Sequence, residues 1–520
     1  MKKFRSFQMI LAVATTMAAS LLSAATGRAD ELTDGADTDT AALSSIADAP
    51  SDTEGASAST DSVETGAAEN TAGISASVAP DASEATAEEG DSVSSSEAAD
   101  EKAENTEGKT DASEDEEAGL SLSIGKANIG IRIYGFLNAQ LEMVQATGGV
   151  TPYALRGRIS DGNSRIGFSG QVELADGLEA IWQLEAGLGG FEQGGLNDRG
   201  LLSALESRNT FVGVNYDKVG RLIFGHNDSV YRSMVGSAGA FGGSYGLIAT
   251  GLDLWNNTTA QMSGNPNSLF GRGESRMVNS LHYTTPLFHG LQLGGSFSFD
   301  ESAKLARFRN RASAALTYEI GGFKIGGGYD YHQNTGVDQL ALYEGRAFSF
   351  GEADDVDTSF VKGLAGYVHD KNKDFRTSVS AGVEYAMYGY SSFLYVNGRD
   401  ALPELTEGTM KQLGFMASAS QGISHGLTLM VSGGMLLGLQ DAVIGEAEDY
   451  EAWQVSGGIK YMLGKNFATY IYFTHISNSS RQNVNFGQAP VYSNNLGTTD
   501  AYLAPGNDPQ SLGLGVLARF

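Results

Sequence analysis

From about residue 120 onward, apolar and polar side chains trade places at every second position. In Ile131–Met143 the odd positions are apolar or small, while the even ones are Arg132, Tyr134, Phe136, Asn138, Gln140 and Glu142. A period of two predicts a strand with two unlike faces. In Arg165–Leu174 the apolar set moves to even numbers, Ala175-Asp176-Gly177 makes a tight turn, and Leu178–Ala186 returns with Glu179, Gln183 and Glu185 on the polar side. The two runs predict a hairpin with one oily wall and one wet wall.

The same device recurs along the chain. Asp217–Gly220, Pro286–Gly290, Gly321-Gly322, Ser424–Gly426 and Leu463–Asn466 each join two alternating runs by a short turn. Between these hairpins lie longer polar connections, expected at 144–163, 187–206, 226–275 and 477–509. Short turns at one end and long loops at the other predict an all-β fold, a transmembrane antiparallel β-barrel. About 400 residues at roughly 25 per strand and loop give about 16 strands. A soluble β-sandwich alternates too, with its apolar face turned inward, so alternation alone does not decide between them.

The flanking segments do. Residues 1–29 read as a cleaved signal peptide: Lys2, Lys3 and Arg5 precede the apolar run Met9–Leu22, and small residues follow. That run is short for a membrane helix, which needs about 20 apolar residues. At the other end, Leu512, Leu514, Val516, Ala518 and Phe520 share one parity, so a greasy strand finishes in an aromatic. Composition agrees, with 68 Gly, 9 Pro and no Cys. Small residues suit barrel walls, and the lack of thiols suits an oxidising folding route.

The formal charge of −28 is unevenly spread. Residues 30–118 carry −24 by count, with 26 acids, two Lys and no aromatic; residues 1–29 carry +4 and residues 119–520 about −8. The middle segment cannot bury enough apolar surface to offset its ordering entropy and is expected to be disordered, extended and periplasmic. The chain thus divides into a signal peptide (1–29), a disordered acidic low-complexity segment (30–118) and a barrel domain (119–520). Nothing in it forms the basic face a nucleic-acid partner requires.

With the pattern in place, the folded region resembles the general porins of Gram-negative bacteria, in particular the trimeric type of Neisseria and the β-proteobacteria. The matching stretches are Tyr134-Gly135-Phe136, Ser164–Gly170, Ala175–Leu178, Trp182–Glu185, Ser207-Arg208, Phe211–Gly213 and Gly220–Gly225. They continue with Arg276, Asn279–Tyr283, Pro286, Phe288 and Gly290, then Tyr461–Lys465, Tyr470, Tyr472 and Phe520. The resemblance implies an outer-membrane homotrimer whose third loop folds into each water-filled channel, and a terminal Phe520 read by the outer-membrane assembly machinery. It implies passive diffusion of ions and small hydrophilic solutes. The acidic segment lies outside it, and the third loop, with mainly Asp253 and Glu274 for acids, departs from the family pattern.

Strand parity nominates Arg132, Glu142, Arg165, Glu173, Glu179, Glu185 and Arg221 for the inner wall, and the third loop adds Asp253, Arg272, Glu274 and Arg276. Arg132 and Arg165 are expected to face that loop. Tyr134, Trp182, Tyr216, Tyr283, Tyr461, Tyr470 and Tyr472 are expected at the membrane interfaces or subunit contacts. Enzyme chemistry finds no anchor. The seven His show no metal-ligand spacing, there is no Gly-x-Ser-x-Gly elbow, and the glycine run at Gly513-x-Gly515 has no room for a following helix. No cofactor or metal is expected. Two other readings stay open from sequence: a link between outer membrane and cell wall through the acidic segment, and a barrel hydrolase whose site is scattered over loops.

Overall fold

The computed structural model describes residues 120–123 and 130–520, except 161, 163, 189–204, 239–267, 302–307, 339–341, 343–349, 352–355, 370–374, 392–394, 397–398, 401–407, 488–490 and 494–501. The expected signal peptide, the acidic segment and Asp253 lie outside the described residues.

Alternation builds a closed wall of 16 antiparallel strands. They are β1 (Gly130–Gly148), β2 in two pieces (Tyr153–Ser160 and Arg165–Ala175), β3 (Leu178–Leu188), β4 (Leu205–Tyr216), β5 (Gly220–Asp228), β6 (Arg276–Thr284), β7 (Leu291–Ser298) and β8 (Arg311–Ile320). The wall continues with β9 (Phe323–His332), β10 (Thr358–His369), β11 (Thr377–Tyr390), β12 (Gly408–Ser424), β13 (Leu427–Leu436), β14 (Ala452–Met462), β15 (Phe467–Asn478) and β16 (Asn507–Arg519). Each pairs with the next, and β16 returns to β1 in a register running from Phe136↔Arg519 to Gly148↔Asn507. Closure leaves no edge with unpaired amides, which a hydrocarbon environment would penalise heavily. Where β16 ends, Phe520 and Gly135 exchange both backbone bonds at 3.0 Å. Beyond them a leading ribbon, Leu120–Ser123, takes over the same flank of β1 at Gly130–Ile133.

The faces are inverted relative to a soluble sandwich. Leu137, Leu141 and Met143 on β1 and Leu512, Leu514 and Val516 on β16 stand exposed on the outside, whereas Asn138, Gln140, Glu142 and Ser511 are buried on the inside. An outer apolar belt over a polar interior is what lipid contact and a wet lumen require. Among the described residues no helix is long and apolar enough to cross a membrane; the crossing is made by strands.

One boundary differs from expectation. The polar connection expected at 144–163 is mostly strand, because β1 runs on to Gly148 and β2 already begins at Tyr153. Ser160 pairs with Gln140 but Arg165 pairs with Phe136, so four positions on β2 (161–164) span three on β1 (137–139). This extra residue is a bulge. Asn138 holds it, donating from Nδ2 to the Gly162 carbonyl (2.9 Å) and from its backbone N–H to Ser164 Oγ (2.9 Å). The bulge swaps the inward parity from even (Arg158, Ser160) to odd (Arg165 onward). A single alternating template therefore reads the first half of β2 as loop.

Candidate pore constriction

Ser229 follows β5 and caps a short helix, α1 (Val230–Ser237), its Oγ accepting the Arg232 N–H at 3.2 Å. The helix lies inside the barrel because the wall is hollowed for it. At Gly328 on β9 an added Cβ would sit 2.8 Å from Val235 Cγ2, and at Gly326 it would sit 2.9 Å from Ala238 Cβ. Val230, Tyr231, Met234 and Val235 are buried against this surface. Polar bonds fix the depth: the Val230 N–H donates to Ser296 Oγ on β7 (3.0 Å), and the Tyr231 hydroxyl donates to Glu384 Oε1 on β11 (2.7 Å). Burial, reinforced by Glu384, pushes the Tyr231 hydroxyl well above its ordinary pKa, so it stays a neutral donor.

The returning leg, residues 268–275, is held more firmly. Arg272 is fully enclosed. Its Nε reaches Glu384 Oε2 at 3.1 Å, its backbone N–H reaches the same oxygen at 2.9 Å, and Nη2 reaches the Glu384 carbonyl at 2.9 Å. Glu274 pairs with Lys362 of β10, whose Nζ also stands 4.3 Å from the centre of the Tyr231 ring. Phe270 fills the space left by Gly382. Two cations and two carboxylates thus tie the loop to β10 and β11, each buried charge meeting its opposite.

A second charge group lies on the inner wall at the base of the loop. Glu185 on β3 accepts from Arg208 Nε of β4 at 2.7 Å and faces Arg165 Nη1 of β2 at 3.5 Å, and the Tyr134 hydroxyl donates to its other oxygen. Asp228, the last residue of β5, meets Arg276 of β6 at 3.1 Å and Arg232 of α1 at 3.4 Å. Asn209 braces the Asp228–Arg276 pair, donating to Asp228 and accepting from Arg276 Nε, both at 3.1 Å. Four arginines therefore surround two carboxylates.

The residues nominated from sequence fall into distinct places. Arg165, Glu185 and Arg276 belong to this wall group. Arg132 lies over the Tyr134 ring, its guanidinium carbon 5.8 Å from the centroid. Glu142 pairs with Arg158 (2.7 Å) and accepts from Tyr472. Glu173 and Glu179 oppose each other beside the short β2–β3 turn. Arg221 is exposed on the inner wall with its guanidinium carbon 4.9 Å from the Phe211 ring centre. Arg272 and Glu274 are anchors of the loop. Asp253 lies outside the described residues.

Of the aromatics expected at interfaces, Tyr283 and Tyr461 are exposed on the outer face, but Tyr134, Tyr470 and Tyr472 are on the inner wall. Tyr470 and Tyr472 lie across Gly515 and Gly513 of β16 and donate to Asn138 and Glu142 of β1. Arg208, Asp228, Arg232, Lys362 and Glu384 are functional candidates that sequence parity did not nominate. A register shift at Leu184/Ala186 puts an extra residue on β4 and moves Arg208 out of phase with its strand, while Asp228 is the last residue of β5 and leads straight into the cap of α1. Lys362 and Glu384 were within reach, each a charged residue at an inward position of a strand of small and apolar residues.

Comparison with known proteins agrees with this architecture. The family model described as Gram-negative porin matches residues 118–481. An outer-membrane porin of Bordetella pertussis is 28% identical over 157 residues, covering 30% of this chain and 36% of that protein. The major outer-membrane protein P.IB of Neisseria meningitidis is 26% identical over 268 residues, covering 49% of this chain and 71% of that protein. The fold is also that of the anion-selective porin from Comamonas acidovorans, with a TM-score of 0.52 at 16% identity over 75% of this chain and all of that one. The family match takes in most of the chain and nearly the whole barrel, and this protein belongs to the Gram-negative porins.

Proposed function

We propose that the barrel is a water-filled pore of the bacterial outer membrane that passes ions and small hydrophilic solutes by passive diffusion and prefers anions. The reading is supported by the loop that folds into a closed, outwardly apolar barrel and is pinned to its inner wall. The preference rests on one observation: Arg165, Arg208, Arg232 and Arg276 outnumber Glu185 and Asp228 on the wall beside that loop. Between low-dielectric walls such a surplus focuses a positive potential across the lumen and raises the local concentration of anions. The same reading makes the working unit a homotrimer embedded in outer-membrane lipid and inserted by the assembly machinery, with Phe520 as its signal. No residue is assigned a catalytic role.

The test is the reversal potential of the full chain in planar bilayers under a potassium chloride gradient. A chloride-preferring potential is expected. A potassium-preferring potential would overturn the assigned sign, and absence of conductance from folded protein would overturn the pore. Cross-linking of detergent-purified protein into trimers checks the assembly.

A further inference from the structure

Below the arginine group, between α1 and strands β3 to β6, the inner wall holds a recess of about 220 Å³. Resting on the pore reading above, we propose that this recess is a binding site for a small organic carboxylate, which lodges on Arg221 on its way through the lumen.

The chemistry of the lining carries the assignment. Three ionisable residues border the recess, and two of them are already committed. Asp228 is held by Arg232, Arg276 and Asn209. His282 has both ring nitrogens engaged, with Ser280 Oγ at 2.8 Å and Ser296 Oγ at 2.7 Å. Arg221 differs: it is exposed to the lumen, and among the described residues no carboxylate lies within ion-pair distance of it. Phe211 lies against its guanidinium at 4.9 Å. That contact limits the side chain's freedom while leaving the planar N–H fork available, and such a fork matches the two oxygens of a carboxylate.

The rest of the recess fits a short carbon skeleton bearing a hydroxyl. Ile223, Val230 and Phe211 supply apolar surface, and Gln183 and Thr284 supply neutral hydrogen-bonding groups. At about 30 Å³ per water the volume holds about seven waters, room for a carboxylate of three to five carbons. A bare chloride would use the charge and leave the apolar surface wet, so an organic anion is favoured over it.

Single-channel chloride current through the full chain, recorded while potassium lactate is added to both sides, tests the site. An occupied recess narrows the lumen and replaces a free cationic charge by an ion pair, so the current should fall along a saturating curve. In Arg221→Gln the half-saturating lactate concentration should rise about tenfold or more, the loss of one charge-assisted bidentate contact. Phe211→Leu keeps the cation and removes the stacking face; a rise of several-fold is expected there, and it serves as the second readout if Arg221→Gln does not yield channels. A wild-type current that never saturates would overturn the proposal, as would half-saturation unchanged in whichever variants conduct. Failure of the underlying pore reading looks different: no conductance, or a potassium-preferring reversal potential in the absence of lactate.

Discussion

Glu384 on the barrel wall accepts from Arg272 twice, at the guanidinium Nε and at the backbone N–H, on a single carboxylate oxygen. Its other oxygen takes the Tyr231 hydroxyl. One side chain of β11 thus clasps the outgoing helix and the returning leg of the same loop. Neutralising it should loosen both. Glu384→Gln is expected to lower barrel stability by about 3–5 kcal/mol, the cost of leaving Arg272 buried without its counter-charge, and to add current noise as the loop shifts. Denaturant unfolding of the refolded variant measures the first and single-channel recording the second. An unchanged midpoint would show that the loop does not depend on this pair.

The glycines beneath α1 set how far the helix stands from the wall. Gly328→Val would drive a side chain into Val235 and Tyr231, whose nearest atoms lie 2.8 and 3.1 Å from the new Cβ position. Overpacking of this kind costs about 1–3 kcal/mol, and the cheapest relief is for the helix to move toward the lumen. Single-channel conductance should therefore fall. A conductance equal to wild type would mean that the helix does not border the narrowest part of the path.

The wall group gives two predictions of opposite sign. Arg208→Gln removes the closest partner of Glu185 and one positive charge, and the reversal potential should move toward potassium. Glu185→Gln removes a carboxylate from among the arginines and should move it toward chloride. Both shifts should shrink as ionic strength rises and the Debye length drops from about 10 Å at 0.1 M to about 3 Å at 1 M. Two variants moving the potential in the same direction would separate this cluster from ion selection.

How far such groups can be read from sequence depends on phase. Strand β1 keeps one phase from Ile131 to Met143, and there parity alone places Glu142 inside and Leu141 outside. At 161–164 the extra residue resets the phase, so Arg158 and its bond to Glu142 do not follow from any single template. The same fault hides Arg208, which lies beside a register shift on its own strand, and Asp228 falls at the end of β5, where alternation gives way to the turn into α1. Tyr470 and Tyr472 fail for another reason. Their parity matches the inner wall, but the composition of membrane barrels pulls aromatics toward the interfaces, and only the glycines opposite them on β16, Gly513 and Gly515, mark the space their rings occupy. The anchors Arg272 and Glu274 carried a legible charge, but their partners lie 112 and 88 residues away, beyond the reach of local pattern.

Away from the spanning strands, Asp449 ties two rim loops together. Its carboxylate accepts from the Ser480 hydroxyl at 2.6 Å and from the Glu446 N–H at 2.9 Å. These bonds, the Ser480 hydroxyl first, hold its pKa below the ordinary aspartate value. A carboxylate with a depressed folded pKa contributes its stabilisation above the unfolded value, about 3.9, and loses it as pH falls through the lowered one. Hydrogen exchange of the amides at 446–451 and 479–482 should therefore be flat from pH 8 to about 5, once corrected for intrinsic rates, and rise below about 4. In Asp449→Asn the corrected exchange should be faster at neutral pH and lack the acid step. An acid step of equal size in that variant would assign the loop's pH response to another group.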